Sequence, residues 1–310
     1  MRNPLISVVV PVHNGQTHII ETLQSIQRQS FGDFECLVCD DGSTDDTLEI
    51  AADFARSDRR FQVHRQAENK GVAYARNRGV ASCRGRFVAI CDSDDYWYPG
   101  KLQNQLGTLT ASGRDLVFSL CEVKNAEGRT CRMLPGALTE EMFASPSSAF
   151  VRVLRFNPAV CGSNIMWRKE KISPYKQFSE RLCPGDDWDF LLWVARYGTV
   201  LPCPHYDVRY QRRQGSITGV HPHLPSLYFD VFQSWVTKAS PSEWTEWRRL
   251  QDWAEGLQRS LYPPTRIMTS PYDTNWEEMA EYQRLQSELE ERYQQDALKA
   301  IKKAKQSHAK

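Results

Sequence analysis

Phe87-Val88-Ala89-Ile90-Cys91-Asp92-Ser93-Asp94-Asp95 passes without a break from five apolar residues to four polar ones, three of them acidic. A short, wholly apolar run of this kind reads as a strand covered on both faces, the habit of parallel sheets flanked by helices. The aspartates then stand just past its carboxyl end. Three similar runs precede it, at residues 6–10, 34–39 and 61–64. Helical patterns separate them: Ile19, Ile20, Leu23 and Ile26 fall on one face, Thr47, Leu48 and Ala51 begin a second helix, and a third covers 72–81. Strand and helix alternate about every thirty residues, which predicts βαβ units and an α/β fold with a mostly parallel central sheet.

Further along, residues 116–121 read as another strand. The stretch 128–148, with Pro135, Gly136, Pro146 and several serines, reads as loop. A strand over 159–167, a helix opening near Asp186 and a last strand at 206–210 complete the core. After about Pro225 the pattern turns helical, with Trp235, Trp244, Trp247 and Trp253. A stripe follows at Met279, Tyr282, Leu285, Leu289 and Tyr293. This end is expected to pack on the core or on a second copy, forming a homodimer.

The 310 residues are 41% hydrophobic and 25% charged, with a formal net charge of +1, the mix of an ordinary globular chain. That balance gives no global field for nucleic acid. The first apolar run is broken by Pro11 and too short to span a bilayer, and no secretory cleavage site follows it. Nine cysteines, several inside apolar runs, suit buried thiols in a reducing cytoplasm better than a disulfide framework. Cys36 and Cys39 form a C-x-x-C inside a strand, where the spacing points the thiols to opposite faces, so no zinc site is expected. Lys299, Lys302, Lys303 and Lys305 form a basic tail that reads first as a frayed, solvated end and second as a contact for anionic lipid.

Ligands of open α/β sheets bind outside the carboxyl ends of the strands. Here three such ends are polar: His13-Asn14-Gly15, Asp40-Asp41-Gly42-Ser43-Thr44-Asp45 and Asp92-Ser93-Asp94-Asp95. One aspartate in such a place is an ordinary turn or cap residue, but three polar ends on one rim suggest a site. No G-x-G-x-x-G or G-x-x-x-x-G-K-[ST] occurs, so dinucleotide and P-loop binding are not expected. Crowded carboxylates in place of glycines need a cation to hold a diphosphate, and Mg²⁺ or Mn²⁺ accepts such oxygen ligands.

These residues carry a resemblance. Val8-Val9-Val10-Pro11-Val12-His13-Asn14, the Asp40–Asp45 segment, Asn69-Lys70-Gly71 with Ala75-Arg76-Asn77, and Asp92-Ser93-Asp94-Asp95 follow the order and spacing of family 2 glycosyltransferases with the GT-A fold. The resemblance covers about residues 4–215. It implies a Rossmann-like GT-A domain over 1–222, with a nucleotide-binding half at about 1–122 and an acceptor half at about 123–222, and a C-terminal helical region over 223–310. It also implies that Pro11, His13, Asn14, Asp41, Gly71, Arg76, Asp92 and Ser93 contact the nucleotide of a UDP- or dTDP-sugar, with Asp41 placed to accept the N3–H of uracil or thymine. Asp94 and Asp95 are implied as ligands of Mn²⁺ or Mg²⁺.

Transfer without a covalent intermediate needs a base for the acceptor hydroxyl. Gly185-Asp186-Asp187-Trp188-Asp189 resembles the family's acidic motif ahead of a helix, with Asp187 at the base position and Asp186 and Trp188 near the acceptor. Aspartates also cap helices, but three in four residues exceed what a cap needs. One departure stands out: where family members often carry histidine in a Tyr-Arg-x-His segment, this chain has Arg213, which cannot ligate a metal but pairs with phosphate. His205, His221 and His223 are candidate substitutes. The implied activity is inverting transfer of a sugar to a saccharide or lipid-linked saccharide in cell-envelope synthesis, in the cytoplasm or at the inner face of the membrane. The alternatives are a nucleotide-sugar binder without activity of its own, and a phosphohydrolase of the haloacid dehalogenase type, whose Asp-x-Asp closes the first strand of its domain.

Overall fold

The computed structural model of the chain describes residues 3–124, 130–134, 143–155, 161–182, 185–211, 231, 234 and 235. Strand β1 (Ile6–Val12) is buried along its whole length, as is β2 (Phe34–Asp40), and helix α1 (Ile19–Gln27) joins them. Helix α2 (Thr47–Ser57) leads to β3 (Phe61–Arg65), and α3 (Val72–Ser82) leads to β4 (Phe87–Ile90). All pairings among these four strands are parallel, in the order β3-β2-β1-β4. Ile19, Leu23 and Ile26 of α1 are buried as their spacing predicts, whereas Ile20 is exposed. Gly79 lets α3 lie close on the sheet: a Cβ there would stand 2.3 Å from Val9 Cγ1 and 2.8 Å from Cys39 Sγ.

The second half is mixed. It comprises β5 (Tyr96–Trp97), α4 (Lys101–Ser112), β6 (Leu116–Lys124), β7 (Thr130–Leu134), α5 (Pro146–Arg155), β8 (Ile165–Arg168), α6 (Lys169–Ile172), α7 (Asp186–Tyr197) and β9 (Val200–Gln211). Strand β8 inserts between β4 and β6, antiparallel to both, and β9 runs parallel to β6. Strand β5 pairs with β9 at the far edge, so the turn after β4 reaches across the sheet. The α/β fold expected is thus present, with its sheet parallel from β1 to β4 and mixed beyond.

Two segments differ from the loop expected over 128–148. Strand β7 pairs antiparallel with β6. Helix α5 starts at Pro146, where a missing N–H costs nothing, and Ser145 Oγ accepts the Ser148 N–H at 3.1 Å as an N-cap does. The last strand is also longer than expected, starting at Val200. Among the described residues, seven of the nine cysteines are free and buried. Trp235 is buried against Phe150, and its indole N–H donates to Asp189 at 2.7 Å. Trp244, Trp247, Trp253, the stripe from Met279 to Tyr293, the lysine tail and the 222/223 boundary lie outside the described residues.

Candidate active site

The carboxyl ends of β1 and β2 are laced together. Asn14 has a left-handed backbone (φ 51°), donates its N–H to Ser43 Oγ at 3.0 Å and accepts the Thr44 N–H at 2.9 Å. His13 Nδ1 lies 2.9 Å from the Asp41 carbonyl. A carbonyl only accepts, so Nδ1 carries the proton and Nε2 is left to accept from the Asn14 amide at 3.2 Å. The imidazole is exposed and held in one orientation. Pro11 is a buried member of β1.

Asp41 is buried and organises the loop before α3. Its Oδ1 accepts from Gln66 Nε2 at 2.8 Å and Lys70 N at 2.9 Å, and its Oδ2 accepts from Gly71 N at 2.7 Å. A carboxylate offers about four acceptor positions, so one remains, on Oδ2. Gly42 makes the close approach possible, with φ +69° and space for no Cβ, which would stand 2.7 Å from the Glu68 backbone.

Arg76 joins the two acidic motifs. Its guanidinium donates to Asp92 Oδ1 at 2.6 Å and to Asp186 Oδ2 at 2.5 Å, with its side chain 6% exposed. Burial opposes its charge, but Asp186 and Asp92 outweigh burial and raise its pKa well above the ordinary value. Arg76, expected at the nucleotide, is thus a clamp between carboxylates that come from β4 and α7.

Asp187 is half-buried beside this clamp. Burial first, then Asp186 and Asp92, push its carboxyl up to about 7, while Arg76 pulls the other way. Its Oδ1 accepts the Trp188 N–H at 2.7 Å. Trp188, expected at the acceptor, is buried: its indole N–H donates to the Val153 carbonyl at 2.7 Å and packs α7 on α5. Asp186, the other expected acceptor residue, is buried on Arg76. Asp189 is an interior residue, paired with Lys176 and Trp235.

In the turn after β4, the Asp95 N–H closes on the Asp92 carbonyl at 3.0 Å, and Thr22 Oγ1 donates to the carbonyls of Ser93 and Asp95. Ser93 and Asp94 are half-buried at the rim, and Asp95 is buried. Asp95 Oδ2 accepts from Ser163 Oγ at 2.5 Å, while its Oδ1 has no hydrogen-bond partner among the described residues. Burial, then Asp94 and Asp92, raise the Asp95 pKa well above the usual carboxylate range. Among the described residues no three-ligand cluster of His, Cys, Asp or Glu occurs, so His205, exposed on β9, does not complete a protein cage. Mg²⁺ is commonly held by one or two carboxylates plus substrate phosphate and water. Asp94 at the rim and the unpartnered Asp95 Oδ1 fit that demand. Arg213, His221 and His223 lie outside the described residues.

Sequence reasoning missed Ser163. It accepts the Asp92 N–H at 2.8 Å, donates to Asp95, and its carbonyl accepts the Trp97 indole N–H at 3.0 Å. Next to it, a Cβ on Gly162 would stand 3.1 Å from Arg76 Nη2, so that position must stay small for the clamp to form.

A sheet with its polar strand ends gathered at one crevice, and an Asp-x-Asp turn after β4, defines the GT-A glycosyltransferase architecture. The chain belongs to glycosyl transferase family 2, whose profile matches residues 7–173, more than half its length. It is 33% identical over 125 residues to the UDP-Glc:alpha-D-GlcNAc-diphosphoundecaprenol beta-1,3-glucosyltransferase WfgD of Escherichia coli, covering 40% of this chain and 49% of that one. Among solved structures, S. aureus TarS 1–349 in complex with UDP-GlcNAc matches with a TM-score of 0.60 and 24% identity, over 78% of this chain and 69% of that one. GalNAc-T7 with UDP, GalNAc and Mn²⁺ matches with a TM-score of 0.57 and 17% identity, over 76% and 48%. The two structures share the fold. The chain spans about 41–50% of the length of curated relatives it matches.

Proposed function

We propose that the chain is a metal-dependent, inverting glycosyltransferase that moves a sugar from a UDP- or dTDP-sugar to the hydroxyl of a saccharide or lipid-linked saccharide in cell-envelope synthesis. The observation that carries this reading is the Arg76 clamp, which brings Asp92 and the start of α7 to one rim and leaves Asp187 beside them. A base works best when its pKa is near the operating pH, and the Asp187 carboxyl at about 7 meets that condition. Asp187 takes the proton of the acceptor hydroxyl as its oxygen attacks the anomeric carbon. His13 supplies an oriented ring for the base, and the remaining lone pair of Asp41 accepts its N3–H. Asp94, with Asp95, would hold Mn²⁺ or Mg²⁺, whose charge would offset that of the leaving diphosphate.

Support for the donor class comes from the UDP-bound TarS neighbours and for the acceptor class from WfgD, whose name gives a lipid-diphosphate sugar. Membrane association at the inner face, a homodimer through the C-terminal helices and phosphate contact by Arg213 belong to the same proposal. The phosphohydrolase alternative is set aside, because Asp92-Ser93-Asp94 closes β4 and the chain belongs to family 2. The test is release of UDP from UDP-Glc and UDP-GlcNAc with a lipid-linked saccharide present, in Mn²⁺ and in EDTA. Metal-dependent release is expected. Tight UDP binding without release from any UDP- or dTDP-sugar would favour the inactive binder instead.

A further inference from the structure

A second cavity, of about 490 Å³, opens beside α3 at the end of the sheet opposite the Asp92 turn. Its size falls within the usual range for small-molecule sites. Arg84, Arg86, Arg168, Lys169 and Lys176 line it, with one carboxylate residue, Glu170. Phe87, Phe178 and Phe190 lie behind them, nearly fully buried.

The charges are not all spent. Arg84 pairs with Glu35, and Lys176 with Asp189. The other three cations meet no carboxylate among the described residues. Arg168 donates to the carbonyls of Arg114 and Leu109 at 2.9 and 2.7 Å, and Lys169 donates to the Cys83 carbonyl. Arg86 is exposed, and its guanidinium makes no hydrogen bond to a described residue; it lies 5.9 Å from the centre of the Phe87 ring. Arg168 lies 5.3 Å from the same ring. Three cations around one hollow repel each other. A phosphate relieves that repulsion, since guanidinium forks match its oxygens, and the volume leaves room for the body of a sugar beside it.

We propose that this cavity is a second binding site, separate from the donor crevice, for a phosphate-bearing ligand of sugar size. The inference stands whether or not the glycosyl-transfer reading holds. The test titrates glucose 1-phosphate into the full chain saturated with UDP, so that the donor crevice is filled, with glucose as the uncharged counterpart. Saturable binding of glucose 1-phosphate and none of glucose is expected. Arg86→Glu should weaken it by at least about tenfold, as loss of a charge-assisted contact does, and Arg86→Gln should weaken it less. Lys171→Glu, exposed nearby but outside the cavity, should leave it unchanged. Melting temperature and UDP affinity of each variant report its folding, and Arg86→Gln carries the test if the reversal does not fold. Absence of binding, competition by added UDP, or equal loss in Arg86→Glu and Lys171→Glu would overturn the proposal. Binding of phosphatidylglycerol vesicles through Arg86 without binding of glucose 1-phosphate would also overturn it, in favour of a lipid surface.

Discussion

Arg76 holds Asp92, sixteen residues on, and Asp186, 110 residues on, with one guanidinium. Neither pair is worth much as an attraction alone, because burying the three charges costs about what their attraction returns. Breaking the bridge is different, since it leaves the buried Asp186 and the half-buried Asp92 without a cation. Arg76→Ala should therefore lower stability by about 3–5 kcal/mol in chemical denaturation. A loss under about 1 kcal/mol, the range of exposed pairs, would contradict the clamp. At this scale the acidic residues were legible, since Asp41, Asp92, Asp94 and Asp187 stand at ends of apolar runs or at the start of a helix. Their partners were not. Ser163 and Gly162 sit in a commonplace Gly-Ser-Asn, and only the insertion of β8 beside β4 brings them to Asp92 and Arg76. Trp188 misled for the reverse reason: sequence places it next to the base, but the helix turns it onto α5.

At the scale of elements, α3 shows how closely helix and sheet approach. Ala at Gly79 would meet stiff, buried Val9, so Gly79→Ala should cost about 1–3 kcal/mol as overpacking does. Gly107, in α4, has nothing within 4 Å of where a Cβ would stand. Gly107→Ala should stabilise by about 0.5–1 kcal/mol through helix propensity. Urea denaturation of the two variants side by side checks both signs, and equal effects would contradict the packing of α3. Strands β1 to β4 were legible because strands buried on both faces leave continuous apolar runs. Strand β7 was not, since an edge strand needs only one partner and leaves little pattern. Helix α5 was hidden by Pro146 and its serines, which mark a helix start as readily as a loop.

For the whole molecule, two carboxylates give stability opposite pH trends. The Arg60 guanidinium beside Asp58 holds that carboxyl down at about 2. Its contribution is present above the ordinary value of about 3.8 and lost as pH falls toward 2. Asp187, pushed up to about 7, does the reverse: its contribution is full below about 3.8 and is lost as pH rises through 7. In metal-free, donor-free protein, Asp187→Asn should therefore melt above wild type at pH 8, with the advantage shrinking by pH 5. A difference independent of pH would place the Asp187 titration elsewhere. Alternation of strand and helix made the α/β class legible at this scale, but not the mixed second half, because the position of β8 depends on pairings no local pattern encodes.

The most direct measurement is the turnover of Asp187→Asn alongside its UDP affinity. Asparagine keeps the size of aspartate and an oxygen for the Trp188 N–H but takes no proton. The donor is held by other residues, so UDP affinity should stay within a few-fold of wild type. Transfer should fall by about 10²–10⁴-fold, the usual worth of a general base. A folded variant that binds UDP normally and turns over within a few-fold of wild type would exclude Asp187 as the base.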